Sequence, residues 1–524
     1  MVRAVPFLVL IGCTASSRAG KTVEPSDTGR DDDRGSDHTG AGGLEADLWF
    51  ALPDFIQGAD LSFTNEMEAC GATFTHHSEP TDPFSLFAAH GHSVARVRLW
   101  HTPGGSGYSN LDDVLLSSRR AKEAGMAVLL DFHYSDTWAD PGNQQPPAAW
   151  ADLEEESLQQ AVYDYTQQTL RALGDAGVMP EMVQVGNEVS HGMLWPTGAL
   201  DGTDASWQRL AGLLTHAARA VRDTAPDTRV MLHLHAADEA HAVLWHLREL
   251  GGFTDYDDVG LSYYPWWSPD TSLHDLSAAL LHIREDFGTD VMVVETAYPW
   301  TSEWADDQTN IVDVSGWSDI RWPATPDGQA AFFVDLHQAV LDAGGVGVLP
   351  WAPDWVSTPC ESLVGPGSPW ENLTFFDFEG ASLPVLEAPL AAIEPQVVVN
   401  PGFEAGDTRS WTVAGDATID WETPHSGWAA LRLAQAETTI RQAVGVEQDR
   451  TYTLSAAGRT SGTGRVVVGI WQSDTTPEHT ITFHETDYAV ATTSFTAKSD
   501  TVVVYAWRDG TDPAWVDDLR LIPR

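Results

Sequence analysis

Between residues 55 and 351 the sequence alternates between two spacings, and this constrains the fold more than any other feature. Short apolar or β-branched runs fall at 55–61, 94–100, 127–133, 182–187, 229–235, 258–264, 290–296 and 346–351. Between most of them lie stretches with three-four apolar spacing, at 111–124, 157–176, 207–224, 273–287 and 329–343. Gly125, Gly177 and Gly288 stand where a helix C-terminus favours glycine. Eight strand signals separated by helices over about 300 residues predict an α/β fold, a (β/α)8 TIM barrel. A doubly wound open sheet also alternates, but it carries a glycine-rich phosphate turn after its first strand. Gln57-Gly58-Ala59-Asp60 is not such a turn.

In a barrel of this kind chemistry sits at the C-terminal ends of the strands. Those ends are polar and aromatic here: Trp100, His133 with Tyr134 and Asp136, Asn187-Glu188, His233 and His235, Tyr263-Tyr264, Glu295 and Trp351. Glu188 follows the fourth strand and Glu295 ends the seventh, so both project into one central cleft although far apart in sequence. Two carboxyl groups across a cleft are the equipment of glycoside hydrolysis. One protonates the departing oxygen, while the other attacks the anomeric carbon or activates water. Neighbours can set the two pKa values apart. Asn187 is expected to bond a sugar hydroxyl, Tyr263 to donate to Glu295, and Arg98, on the strand face of Arg96 and Trp100, to hold Glu295 by charge. His233 and His235 share a strand face, yet no third ligand of clear spacing makes them a zinc site, and sugar binding suits them better. No phosphate loop and no G-x-S-x-G elbow is present.

Seven stretches carry a family resemblance: GADLSFTNEMEACG (58–71), RVRLW (96–100), LDFHYSDTWADPGNQ (130–144), VQVGNEVSHGMLWPTG (183–198), LSYYPWW (261–267), VVETAYPW (293–300) and FFDFEGASLP (375–384). Together they resemble glycoside hydrolase family 53, the endo-β-1,4-galactanases. The resemblance implies Glu188 as acid/base and Glu295 as nucleophile of a retaining mechanism, acting on β-1,4-galactan and galacto-oligosaccharides, the side chains of type I arabinogalactan in pectin. It also implies a cleft lined by Arg98, His133, Asp136, Trp138, Asn187, His233, Tyr263 and Trp351. No cofactor is required for the reaction. Relatives bind structural calcium in the loop after strand 7, where Asp306, Asp307 and Asn310 are the candidates. Another retaining β-glycanase of the same barrel type, such as a mannanase, and a non-catalytic glycan-binding lipoprotein remain as alternatives. Cys70 follows strand 1 and Cys360 follows strand 8. Closure of a barrel makes those strands neighbours, which allows a disulfide, with two reduced cysteines as the alternative.

The ends of the chain read differently. Residues 1–12 resemble the apolar part of a lipoprotein signal peptide, and Leu10-Ile11-Gly12-Cys13 resembles a bacterial lipobox with lipid attachment at Cys13. This predicts export and a lipid anchor at a bacterial membrane (outer membrane, cell surface or periplasm), or secretion if the lipobox is not used. Residues 13–46 read as a flexible acidic linker, 47–390 as the barrel and 391–396 as a second linker. From 397 to 524 helical spacing disappears in favour of short alternating strands, predicting an antiparallel β-sandwich of jelly-roll type. NPGFEAG (400–406) and WVDDLRLI (515–522) resemble carbohydrate-binding modules, in which Glu404 and Asp518 are candidate calcium ligands. Trp471 and Trp507 are the expected sugar platforms, since each ends a strand-like run at a turn. With 76 acidic against 28 basic residues the formal charge is −48. That excludes nucleic acid as a partner and leaves only the lipid anchor as a membrane contact. A monomer is expected.

Overall fold

A computed structural model describes residues 48–524 apart from 105–106, 269–270, 315–320, 363–364, 390–392, 394–395 and 473–477. The signal segment, Cys13 and the first linker therefore lie outside the described residues. Eight parallel strands close into a barrel: β1 (Ile56–Asp60), β2 (Val94–Leu99), β3 (Ala127–Phe132), β4 (Met182–Val185), β5 (Arg229–Leu234), β6 (Asp258–Ser262), β7 (Asp290–Glu295) and β8 (Gly347–Val348). Each pairs with its sequence neighbours, and β8 returns to β1 through Ile56 opposite Gly347. The helices are α1 (Thr64–Ala69), α2 (Pro83–Ala89), α3 (Leu111–Ala124), α4 (Glu155–Asp175), α5 (Asp204–Thr224), α6 (Ala237–His246), α7 (Leu273–Phe287) and α8 (Pro326–Asp342). Gly125 and Gly288 close α3 and α7 in the left-handed conformation, and Ser272 with Asp275 forms a capping box at the start of α7.

The barrel interior changes character along its axis. Its lower layers are filled by Ile56, Val94, Ala127, Leu129, Met182, Met231, Met292, Val294 and Leu349. Gly58 and Gly260 make room for them: a Cβ at Gly58 would stand 2.7 Å from Leu349 Cγ, and one at Gly260 2.9 Å from Met231 Sδ. Two residues further along the same strands the side chains are Asp60, Arg96, Asp131, Gln184 and His233, all fully buried. Such a layer has to be paired internally.

The strands after residue 411 form two five-stranded antiparallel sheets. They are β9 (Thr412–Ala414), β10 (Ala417–Asp420), β11 (Ala430–Leu433), β12 (Thr439–Gly445), β13 (Thr451–Thr460), β14 (Arg465–Trp471), β15 (Glu478–Phe483), β16 (Ala489–Thr496), β17 (Thr501–Asp509) and β18 (Ala514–Pro523). The sheet orders are β9-β12-β17-β14-β15 and β10-β11-β18-β13-β16, and Leu431, Ile440, Leu454, Val468, Val504 and Leu521 join both in one core. The sandwich sits against α7 and α8. Arg520 of β18 makes a bidentate pair with Asp342 (2.9 and 3.1 Å), His282 meets Asp407 at 2.8 Å, and Arg409 meets Asp286 at 2.8 Å. Its entry and exit lie together, since Val397 N–H donates to Leu521 O (3.1 Å) and Leu519 N–H to Pro401 O (2.9 Å).

Cys70, at the end of α1, is joined by a disulfide to Cys360, after β8, across 290 residues. Closing so long a loop restricts the unfolded chain. Replacing both cysteines by serine is expected to lower stability by about 2–5 kcal/mol, read as a lower Tm of the barrel transition by calorimetry. Equal Tm values with and without the bond would show that it carries no stabilisation.

Candidate active site

Glu188 and Glu295 face each other at the C-terminal mouth of the barrel. With His233 they form a group whose ligand-type atoms all lie within 4.8 Å of one another. Strand β4 ends at Val185, and the chain turns through left-handed backbone at Gly186 (φ 93°) and Glu188 (φ 50°). Glycine tolerates that region; glutamate does so at a cost, of the kind found at functional sites. The turn swings the Glu188 side chain into the mouth.

Glu295 is held by Arg96, whose Nη1 lies 2.8 Å from Oε1, and by Tyr264, whose hydroxyl donates to Oε2 at 3.3 Å. Arg96 also pairs with Asp60 (2.8 Å) and Asp131 (2.9 Å) and donates to Asn187 Oδ1 (2.8 Å). Buried among Asp131, Glu295 and Asp60, its guanidinium stays charged although burial opposes this. Burial pushes Glu295 up to about 7, with Arg96 pulling against the shift. Glu188 is pushed well above the usual carboxylate range, first by burial and then by the charge of Glu295. Four carboxyl groups (Asp60, Asp131, Glu188 and Glu295) share this pocket with Arg96. The proton that the crowding demands falls on Glu188, which Arg96 does not touch.

A relay of hydrogen bonds leads from Glu188. Ser262 Oγ is 2.6 Å from Glu188 Oε1 and 3.0 Å from His233 Nε2. His233 Nδ1 stands 2.8 Å from Asn187 Oδ1 and 3.3 Å from the Glu188 backbone N–H. Burial, with Arg96 nearby, keeps this imidazole neutral. The Nδ1–Asn187 Oδ1 contact fixes the Nδ1–H tautomer, because two acceptors would otherwise face each other, and Nε2 is then the acceptor toward Ser262. With Glu188 ionised, Ser262 donates to it. With Glu188 protonated, the carboxyl donates to Ser262, and Ser262 donates to His233 Nε2.

Of the residues expected to line the cleft, Trp138 and Trp351 are half-buried rings 5.7 Å apart. Arg98 does not reach Glu295. Its guanidinium lies over the rings of Phe63, Trp100 and Trp138 (4.6, 4.6 and 4.2 Å) and donates to Ser109 Oγ. The charge on Glu295 comes from Arg96, one layer deeper. Tyr263 donates to Thr271 O (3.2 Å) instead, and its neighbour Tyr264 serves Glu295. Asp136 accepts the N–H groups of Thr102 and Ala148, bracing two loops. His133 accepts the Ala139 N–H at Nδ1 and so donates from Nε2 to Asp131 (3.0 Å). Asn187 spends Oδ1 on Arg96, Gln184 and His233 and one Nδ2 hydrogen on Ala139 O, leaving a single N–H for a ligand. His235 is separate, grouped with His191 and Glu239. Arg96, Asp60, Asp131, Ser262 and Tyr264 complete the site.

Of the loop residues, Asp306 accepts from Ser357, Ser368 N–H and Gln308 N–H, Asn310 is buried, and Asp307 is exposed. Among the described residues neither aspartate belongs to a close group of three ligand side chains. In the sandwich, Asp518 groups with Asp517 and His425, while Glu404 accepts the Trp428 N–H (2.8 Å) and is pushed up to about 7 by burial, with Asp518 adding to the shift.

A parallel barrel with two carboxyl groups, one buried and one half-buried, meeting at its mouth is the architecture of a glycoside hydrolase. The sequence model of glycosyl hydrolase family 53 matches residues 56–388. The chain is 45% identical over 327 residues to the arabinogalactan endo-beta-1,4-galactanase of Cellvibrio japonicus, covering 62% of this chain and 86% of that one. It is 33% identical over 375 residues to the endo-beta-1,4-galactanase of Bacillus subtilis, covering 64% and 85%. The solved Ignisphaera aggregans GH53 catalytic domain superposes with a TM-score of 0.60 at 32% identity, covering 66% of this chain and 98% of that one. The chain belongs to glycosyl hydrolase family 53.

Removing the Ser262 hydroxyl deletes a donor to ionised Glu188, and loss of that stabilisation raises its pKa further. Ser262→Ala is therefore expected to move the Glu188 carboxyl titration, followed by ¹³C NMR, toward higher pH. A shift in the opposite direction would contradict the relay.

Proposed function

We propose that this enzyme hydrolyses internal β-1,4 linkages of galactan with retention of anomeric configuration. Glu188 is the acid/base and Glu295 the nucleophile. The observation that carries the reading is the close approach of the two carboxyl groups, with the Arg96 cation in contact with Glu295 alone of the two. Retaining enzymes keep such groups about 5–5.5 Å apart, and inverting ones leave room for a water between them. The names of the relatives support galactan as the polymer.

In the first half-reaction a Glu295 oxygen bonds to the anomeric carbon as the bond to the leaving oxygen breaks, and Glu188 gives that oxygen its proton. Arg96 and Tyr264 keep the Glu295 carboxylate aimed. In the second, water attacks the same carbon, passes a proton to Glu188, and the Glu295 carboxylate departs. Glu188 is thus ionised between the two steps. Ser262 gives it a hydrogen-bond partner in both states, donating to the carboxylate or accepting from the carboxyl while donating to His233 Nε2.

The β-sandwich is read as a sugar-binding domain. Calcium at its edge would be held by Glu404 and Asp518, beside Asp517, whose carboxyl burial and Asp518 push up to about 8. A cation relieves such crowding. Calcium at the loop after β7 would use Asp306 and Asn310. Lipid attachment at Cys13 and export complete the reading, and no described helix is long and apolar enough to cross a membrane.

Glu188→Ala is expected to lower kcat on galactan by about 10²–10⁴-fold, and Glu295→Ala to abolish turnover, with galactan binding preserved in both. Added azide should rescue the two differently on an activated β-galactoside: β-galactosyl azide from Glu188→Ala, α-galactosyl azide from Glu295→Ala. Near-normal hydrolysis by either variant, or the reversed pattern of azide anomers, overturns the assignment.

A further inference from the structure

The barrel directs every strand toward the catalytic mouth, so each following helix starts at that rim and runs back. For α7 the rim end is Leu273, tied to the site by two adjacent tyrosines: Tyr263 bonds Thr271 O, just ahead of the helix, and Tyr264 bonds Glu295. The contacts of the sandwich run down this helix in order. At its rim end His274 donates to Glu404 O and meets the Trp421 ring at 5.1 Å. Two turns on, His282 meets Asp407, and one turn further Asp286 meets Arg409. From His274 to Asp286 is about 18 Å of helix, enough to fix which end of the sandwich lies at the mouth. That end carries Trp421 and Trp428, each 51% exposed. The Trp428 N–H is held by Glu404, the residue whose carbonyl meets His274. The six-membered edge of Trp421 rests on Gly406, where a Cβ would stand 2.7 Å from Cη2. On the barrel side Trp267, 45% exposed, packs 4.8 Å from Tyr264.

We propose that Trp421 and Trp428 form a sugar-binding platform at the rim of the catalytic cleft, extending it beyond the barrel and taking the portion of a neutral β-galactan chain that leaves the mouth past Tyr264 and Trp267. The proposal rests on the galactanase reading for the identity of the occupant. Pyranose rings offer flat CH faces to exposed indoles and hydroxyl donors to nearby carboxylates, here the exposed Glu422 beside Trp421. An anionic polymer or an acidic protein is repelled by the same carboxylates and by a chain of net charge −48. Because three contacts along α7 and the Asp342–Arg520 pair hold the sandwich, the platform keeps a fixed distance from Glu188 and Glu295, and only chains long enough to span both gain from it.

Initial rates on long galactan and on galactotetraose separate this platform from a general sugar site. In Trp421→Ala/Trp428→Ala, kcat/KM on the polymer should fall roughly tenfold through KM, with kcat and galactotetraose turnover unchanged. Trp245→Ala, an exposed tryptophan on α6 away from the rim, should change neither. Unaltered polymer kinetics in the double variant, or an equal loss on both substrates, overturns the platform and leaves the galactanase reading standing. Failure of the unmodified enzyme to cleave either galactan substrate overturns that reading, and with it the occupant named here.

Discussion

Arg96 is the charge around which the catalytic end of the barrel is organised. It is fully buried and touches Asp60, Asp131, Glu295 and the Asn187 amide at once. Without it the polar layer above the apolar barrel floor would hold only acids, amides and neutral imidazoles, each expensive to bury unpaired. With it, one cation serves three carboxylates by direct contact and acts on Glu188 only through its longer-range field. The difference between the two glutamates, which the proposed double displacement needs, therefore follows largely from a single guanidinium placed nearer to one than to the other. Burial raises both groups; direct contact with Arg96 opposes the rise at Glu295, whereas at Glu188 the Ser262 hydrogen bond and the more distant Arg96 oppose it and the charge of Glu295 adds to it.

The architecture was legible because its determinants are periodic. Long apolar runs and three-four spacing place all eight strands and five of the long helices to within a few residues. The short helices α1 and α2, and α6 with its histidines and acids, carry too few turns for a period to register. The two glutamates were legible as strand ends. What escaped was depth and parity. Arg96 and Arg98 share one strand face, and alternation alone does not tell which of them stands level with Glu295. Tyr263 and Tyr264 follow the last residue of β6, and once a strand ends its alternation no longer assigns a direction. Ser262, whose pairing with Glu295 falls at a break in the β6–β7 register, carries no signal beyond its position.

The sandwich shows the same division. Trp471 and Trp507 sit on strands, where a period could be read, and both are half-buried, Trp471 stacked on Tyr505 at 4.7 Å. Trp421 and Trp428 stand in a loop, where burial depends on what packs alongside, and there the rim end of α7 decides it. Composition found the aromatic residues; tertiary contact decides how far each is exposed.

The last strand of the chain has a further consequence. Its Leu521 is paired with the residue that leads into the sandwich, while its Arg520 grips the end of α8. Both ends of the domain are thus moored within a few ångströms of one another, against the same wall of the barrel. A module hung from one flexible cord would swivel and sample many directions. Pinned at entrance and exit together it behaves as a bracket, and whatever its outer loops hold is presented to the barrel in one orientation.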